Sequence, residues 1–245
     1  SGETALSISA WVYPTSYGGA AAESFVSADS TLPRGFYIGV YNASNFRFAF
    51  TTNGSNLTAI NTTPGTVDLN VWQHILVTWD QINLKFYKNG VLLNTVPTTF
   101  ASNGTFTTTN NLLIGVRQLG GVGLFEGKID EVAIFNEVVD IGDVWNGSGE
   151  PIDVSAVNGI VSNWRMGEDA SFNGTNWTVP DQFGTNNGTS NAMTVDALVG
   201  EAPNYSGGGI SEGMDIEDRV GNAPKSDNNV LSYNMEREDK IKDTP

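Results

Sequence analysis

Residues Val71–Leu93 read VWQHILVTWDQINLKFYKNGVLL, and this stretch decides the fold class. Successive side chains of a strand point to opposite faces, so Val71, Gln73, Ile75, Val77 and Trp79 share one face and Trp72, His74, Leu76 and Thr78 the other. Apolar residues stand on both faces near the centre, which predicts a strand inside a sheet. Leu84–Lys88 and Val91–Thr95 alternate again on either side of Asn89-Gly90. That dipeptide accepts the positive φ values of a type I′ turn, whose twist matches the strands it joins.

The same pattern continues outward. Leu6–Tyr13 alternates until Pro14 closes it, and Gly35–Tyr41 with Asn45–Thr51 predicts a hairpin around Asn42-Ala43-Ser44. Leu112–Val116, Phe125–Phe135 and Ile160–Met166 supply further strands. Gly (28), Asn (26) and Thr (23) dominate the composition, while residues that favour helix are thin. Short strands separated by turn residues predict an all-β sandwich or jelly roll of two antiparallel sheets. The one helical candidate, Val138–Trp145, is short and follows the strands as a closing turn.

The chain divides into three parts by composition: 1–150, the sandwich; 151–199, a strand and a Gly/Asn-rich loop that complete it; and 200–245, an acidic tail. Trp177 and Phe183 are the anchors expected in the loop. From Gly200 onward ten acids face five bases and apolar residues are few. Such a segment buries too little surface to fold alone. It is expected to extend along its own domain or a neighbouring subunit, with Gly207-Gly208-Gly209 as a hinge.

Charge and composition exclude several functions. The 245 residues carry 12 Lys+Arg against 27 Asp+Glu, a net charge of −15, with one His and no Cys. Scattered bases do not make a phosphate-binding face, so nucleic acid is not an expected partner, and anionic membranes are disfavoured likewise. No run approaches the roughly 18 apolar residues of a membrane span. The absence of cysteine excludes a disulfide framework, a thiolate metal site and a Cys nucleophile. The sign suits a soluble exterior, divalent cations or neutral sugars. With neither signal peptide nor initiator Met, Ser1 is expected to begin a processed chain or a fragment.

Three stretches together resemble the laminin G-like, concanavalin A-like jelly-roll family: LSISAWVYP (6–14), the W-x-H and Y-x-N-G pattern of residues 71–93, and LIGVRQLGGVGLFEGKIDEVAIFN (113–136) with its G-x-[IL]-D-[ED]-[VF] ending. The resemblance covers about the first 146 residues. It departs at the ends, since two segments that usually come first in the family here come last: 163–168 (NWRMGE) and 181–189 (DQFGTNNGT). Either the chain is permuted or these residues open a second unit. The block from Trp164 through Gly213 also resembles structural proteins of marine tailed bacteriophages.

The resemblance implies calcium at Asp130 and Asp181, with Asn187 and nearby carbonyls completing a shell of oxygen ligands. The alternative is that Asp130 satisfies backbone donors at a strand end and that Asp181 forms an Asx-turn. Related folds include glycoside hydrolases with paired carboxylates on one strand face, about 5 Å apart for retention. Here Lys128 occupies the nucleophile's place, and strict alternation sends Asp130 and Glu131 to opposite faces, so no catalytic residue is assigned. His74 lies mid-strand, where a local hydrogen bond is the better reading. Sugar binding by jelly rolls uses aromatic rings and rim amides. Tyr17, Tyr41 and Trp177 are the glycan-binding candidates, and the loops 15–33 and 51–70 the expected contact surface. Core packing is the expected role of Trp11, Trp72, Trp79 and Trp164.

These readings converge on a non-catalytic adhesion or surface-display module on an extracellular particle, a phage virion, with glycan recognition. Its partners are surface glycans and other virion or surface subunits, in a homo-oligomer. The alternatives are an architectural protein whose tail links subunits and, last, a polysaccharide hydrolase.

Overall fold

The computed structural model describes residues 5–19, 22–29, 32, 34–42, 44–51, 55–97, 110–167, 169–199, 203 and 213–215. Strands are numbered in chain order. Five form the smaller sheet, in the order β5-β4-β3-β2-β9: β2 (Glu23–Ser27), β3 (Phe36–Tyr41), β4 (Asn45–Phe50), β5 (Thr58–Asn61) and β9 (Leu113–Ile114). The larger sheet contains β1 (Leu6–Pro14), β6 (Gln73–Trp79), β7 (Asn83–Lys88), β8 (Val91–Pro97), β12 (Gly127–Phe135), β13 (Ile160–Trp164), β17 (Leu198–Val199) and β18 (Gly213–Asp215). Its order is β17-β18-β12-β1-β6-β7-β8, with β13 beside β12. Two ribbons complete the molecule: β10 (Val116–Gln118) with β11 (Val122–Leu124), and β14 (Ser171–Phe172), β15 (Trp177–Val179) and β16 (Gly188–Thr189). Every pairing is antiparallel. The fold is the concanavalin A-like jelly-roll sandwich.

Alternation builds the core. Leu6, Ile8, Ala10 and Val12 of β1, and Ile75, Val77 and Trp79 of β6, face inward. Phe46, Phe48 and Phe50 of β4 meet them from the other sheet. Phe50 and Trp79 lie with ring centroids 5.9 Å apart across the interior. Each such buried side chain contributes about 1.5–3 kcal/mol. Trp164, Met166, Trp177, Val179, Met193 and Ala197 belong to the same core, so residues after 160 share the interior of the first 150.

The outer face of the larger sheet is covered too. Leu76, Ala133 and Phe135 pack under Val139, Val144 and Val154 of the segment that follows β12. This explains why β6 is apolar on both faces. It also explains why the expected helix Val138–Trp145 is absent: only Ile141–Asp143 makes a 3-10 turn. Val139, Val144 and Trp145 reach the sheet from an irregular chain that follows its surface. Trp145 lies on the β7–β8 turn, where a Cβ on Gly90 would stand 2.4 Å from the indole Nε1. Asn89 and Gly90 have φ of 48° and 79°, as the type I′ turn requires.

β12 is shared at its outer edge by two late segments. β13 pairs with Val132–Phe135, and β18 pairs with Lys128 and Ile129. Gly213–Asp215 is thus a strand of its own chain's sheet. Apart from Pro203, the remainder of the expected tail, the hinge Gly207-Gly208-Gly209 included, lies outside the described residues, as do parts of the loops 15–33 and 51–70.

Candidate functional site

The turn that follows β1 meets the end of β3. Gly18 has φ 74°, and a Cβ there would stand 2.9 Å from the Val40 carbonyl oxygen and 3.5 Å from the Tyr41 Cα. Only glycine fits this approach, both for its left-handed backbone and for the space. The Ser16 hydroxyl accepts the Gly18 N–H at 3.1 Å and fixes the turn. Tyr17, 47% exposed, precedes this glycine in the turn.

Tyr41 packs its apolar body against the outer face of the smaller sheet, with Tyr37, Ala49 and Leu57. Its ring carries Arg47, whose Cζ lies 3.2 Å from the centroid. The Arg47 Nε–H donates to Asn61 Oδ1 at 2.7 Å. Register sets the neighbours: Arg47 opposes Gly39 on one side and Asn61 on the other, and the Asn61 amide lies across from it to take the Nε–H. Tyr41, Arg47 and Asn61 thus form one rim of aromatic, guanidinium and amide groups, and the turn that carries Tyr17 meets the end of the strand that carries Tyr41.

Glu23 borders this rim. Burial first, then the charge of Glu126, pushes its carboxyl up to about 7, against hydrogen bonds from the Glu126 and Gly19 N–H groups and the Ser16 hydroxyl. The Ser16 Oγ lies 3.4 Å from Glu23 Oε1.

Of the predicted glycan residues, Tyr17 is exposed in the turn that meets the end of the strand carrying Tyr41, whereas Trp177 is withdrawn from the surface. Trp177 is 5% exposed in the sandwich core, packs on Phe172 and donates its indole N–H to the Thr194 carbonyl at 2.7 Å. It has no face for a sugar, and its assignment to the binding surface is corrected. Tyr41 also differs from a bare stacking platform, because Arg47 covers one face of its ring. Arg47, Asn61, Gly18 and Glu23 were not singled out from sequence. The signals available were the Gly18-Gly19 pair and the alternation that places Arg47 outward on β4.

The predicted metal residues form hydrogen-bonded caps. Asp181 Oδ1 accepts the N–H groups of Asn163 (3.0 Å) and Phe183 (3.2 Å), and Oδ2 that of Asn186 (3.1 Å). Asn187 Oδ1 accepts the Asp181 N–H at 3.0 Å. Burial would raise the Asp181 pKa, but donors from Gly184, Asn163, Ser162 and Asn186 outweigh it and hold the carboxyl below its ordinary value. Asp130 is fully buried and accepts the Glu131 N–H at 2.8 Å. The Asp181 oxygens, Asn187 Oδ1 and Asp130 Oδ1 all face amide hydrogens, and oxygens so engaged do not fit a calcium shell. Among the described residues no three His, Asp or Glu side chains converge.

The carboxylates of β12 depart from strict alternation. Between the pairs Ser9–Ala133 and Trp11–Asp130 the register slips by one, and Glu131 takes φ 47°. This bulge places Glu131 in a small cavity with Ser9 and Trp11, on the face where Trp11 opposes Asp130. The expectation of opposite faces is corrected. Neither carboxylate is presented to a substrate: Asp130 is buried, and Glu131 pairs with Arg165 at 3.0 Å.

His74 Nε2 lies 2.8 Å from Ser9 Oγ, but its buried Nδ1 has no hydrogen-bond partner. A Ser-His-Asp arrangement needs a carboxylate there. Burial between Trp11 and Trp145 lowers the His74 pKa to about 3 and keeps it neutral.

A family profile of laminin G type, described as the concanavalin A-like lectin/glucanases superfamily, matches residues 1–144. No curated protein sequence matches the chain. A solved structure from Bacteroides ovatus, described as a candidate carbohydrate-binding protein, is similar at TM-score 0.58 and 16% identity, over 78% of this chain and 53% of that one. This chain therefore spans about half that protein's length. Two others are similar at lower TM-scores. A sialidase carbohydrate-binding module of Ruminococcus gnavus with α2,3 sialyllactose gives 0.46 at 17% identity, over 58% of this chain and 81% of that one. Domain 4 of an arabinanase from Geobacillus stearothermophilus with arabinotriose gives 0.44 at 20%, over 58% and 65%.

Proposed function

The chain belongs to the concanavalin A-like lectin/glucanases superfamily, and on that premise we propose that it is a non-catalytic glycan-binding module whose contact surface is the rim of Tyr41, Arg47 and Asn61 together with the exposed Tyr17. The observation that carries this reading is the guanidinium of Arg47 fixed between the Tyr41 ring and the Asn61 amide, with the turn of the exposed Tyr17 packed on the backbone of Val40 and Tyr41 through Gly18. Aromatic rings stack on the apolar faces of sugars, while amides and guanidinium groups take their hydroxyls. The blocked carboxylates of β12 and the incomplete Ser9–His74 pair argue against a hydrolase. In this reading the module works outside the cell on a particle or surface, with a phage virion as the proposed carrier.

A glycan array with the folded protein tests the proposal. Wild type binds a subset of glycans, and Tyr17→Ala weakens the same spots about tenfold, the loss expected for one aromatic contact of 1–1.5 kcal/mol. A folded wild-type chain that binds no glycan contradicts it.

An architectural reading gives the tail a linking role, although its Gly213–Asp215 strand lies along β12 of its own chain. If the tail also links subunits in a homo-oligomer, light scattering finds an assembly for the intact chain and a monomer for residues 1–199. A monomer in both cases overturns the linking role.

A further inference from the structure

Among the described residues, Arg47 is held in place without a counter-charge. The other three arginines of the described residues are each paired with a carboxylate: Arg34 and Arg117 with Asp29, at 3.3 and 2.9 Å, and Arg165 with Glu131 at 3.0 Å. Arg47 instead has two neutral partners, the Tyr41 ring against its plane and Asn61 Oδ1 on its Nε–H. In a chain of 27 acids and 12 bases, an arginine fixed by uncharged groups is an exception that asks for a cause. The ring sets the plane of the guanidinium, and the amide sets its rotation within that plane. With Nε–H spent on Asn61, the edge left over is the pair of Nη groups. Two parallel N–H donors in one plane match the two oxygens of a carboxylate.

The neighbouring acid does not fill that role. Glu23 accepts the Ser16 hydroxyl on one oxygen, its buried Oε2 has no hydrogen-bond partner, and the charge that acts on it is that of Glu126, an anion, and not a cation.

Resting on the glycan-binding reading, we infer that the rim takes an acidic sugar, with the Arg47 Nη edge gripping the sugar carboxylate and Tyr17 covering its ring. The net charge of −15 points the other way, toward neutral sugars. Long-range repulsion of an anionic ligand is screened within about 8 Å at physiological ionic strength, whereas a fixed arginine acts at contact. The local group therefore sets selectivity, and salt weakens the repulsion more than the grip.

The test is an array and titration series with sialyllactose, oligogalacturonate and other acidic glycans, their carboxyl-reduced forms, sulfated glycans and neutral glycans. The expected result is binding to one or more carboxylate-bearing sugars and a loss of tenfold or more on carboxyl reduction, the size of a charged hydrogen-bonded contact. The change is made on the ligand, so protein folding does not enter. Arg47→Lys, which keeps the charge but not the planar fork, loses most of the preference between acid and reduced sugar. The sialylated and uronate arms identify which carboxylate is read. Equal binding of acid and carboxyl-reduced forms, or binding only to neutral or sulfated glycans, overturns the inference and leaves the glycan-binding reading standing. Binding to none overturns both.

Discussion

Gly18 and Trp177 show how single residues decide what the rim can do. At Gly18 any side chain meets a backbone carbonyl and a left-handed φ at once. Gly18→Ala is expected to cost about 1–2 kcal/mol of stability, the penalty of the left-handed region, and to weaken glycan binding because Tyr17 loses its seat. Denaturant melts and glycan titration of the same variant check both. Trp177 makes the opposite case. Its indole fills the core and satisfies the Thr194 carbonyl, so Trp177→Ala is expected to cost roughly 3–5 kcal/mol. Trp177→Phe, which keeps most of the volume, leaves glycan affinity unchanged. A selective loss of affinity in a stable Trp177→Phe protein would return that residue to the binding surface.

At the scale of elements, β12 ties early and late sequence together. Arg165, just past β13, reaches Glu131 at the bulge of β12, and both are largely withdrawn from solvent. Arg165→Ala is expected to destabilise by about 1–2 kcal/mol, since it leaves a buried carboxylate without its partner, and chemical denaturation measures it. Strands of this kind were largely legible in sequence. β6, β7 and β8 follow from two-residue periodicity and Asn89-Gly90, and the β3–β4 hairpin from its own alternation. The Glu131 bulge was not legible, because no residue type marks a register slip inside an otherwise regular strand. The missing helix at 138–145 misled because apolar residues that cover a sheet face do so from an irregular chain as well as from a helix. Trp177 misled because it sits in a Gly/Asn-rich stretch that reads as a loop, whereas β15 carries it into the core. Tyr17 and Tyr41 were visible as aromatics near loops. Arg47 was not, since its role depends on Tyr41 and Asn61 lying beside it, a matter of tertiary placement.

For the molecule as a whole, two perturbed groups oppose each other across the acid range. His74 has a folded pKa near 3, below its ordinary 6.5, so its neutral burial supports the fold above pH 6.5, and that support is lost as pH falls toward 3. Glu23 is raised from 4.5 to about 7, so its contribution is full below pH 4.5 and is lost as pH rises through 7. Between pH 4.5 and 6.5 the two slopes have opposite sign. Substitution separates them. The stability gap between wild type and His74→Gln is expected to shrink by on the order of 3 kcal/mol from pH 7 to pH 4, and Glu23→Gln to gain on wild type as pH climbs from 5 to 8. A gap independent of pH in either variant would contradict the assigned burial.

In the proposed function a glycan binds at Tyr41, Arg47 and Asn61, with the exposed Tyr17 as a further contact. The most direct measurement is a nuclear magnetic resonance titration of the labelled protein with the glycan that the array selects. The predicted result is saturable shifts at the Tyr17, Gly18 and Tyr41 amides, the Arg47 side-chain N–H and the Asn61 amide, with the Trp177 indole N–H unmoved. Shifts gathered instead on the outer face of the larger sheet, around Trp72 and Tyr13, with a silent rim, would contradict it.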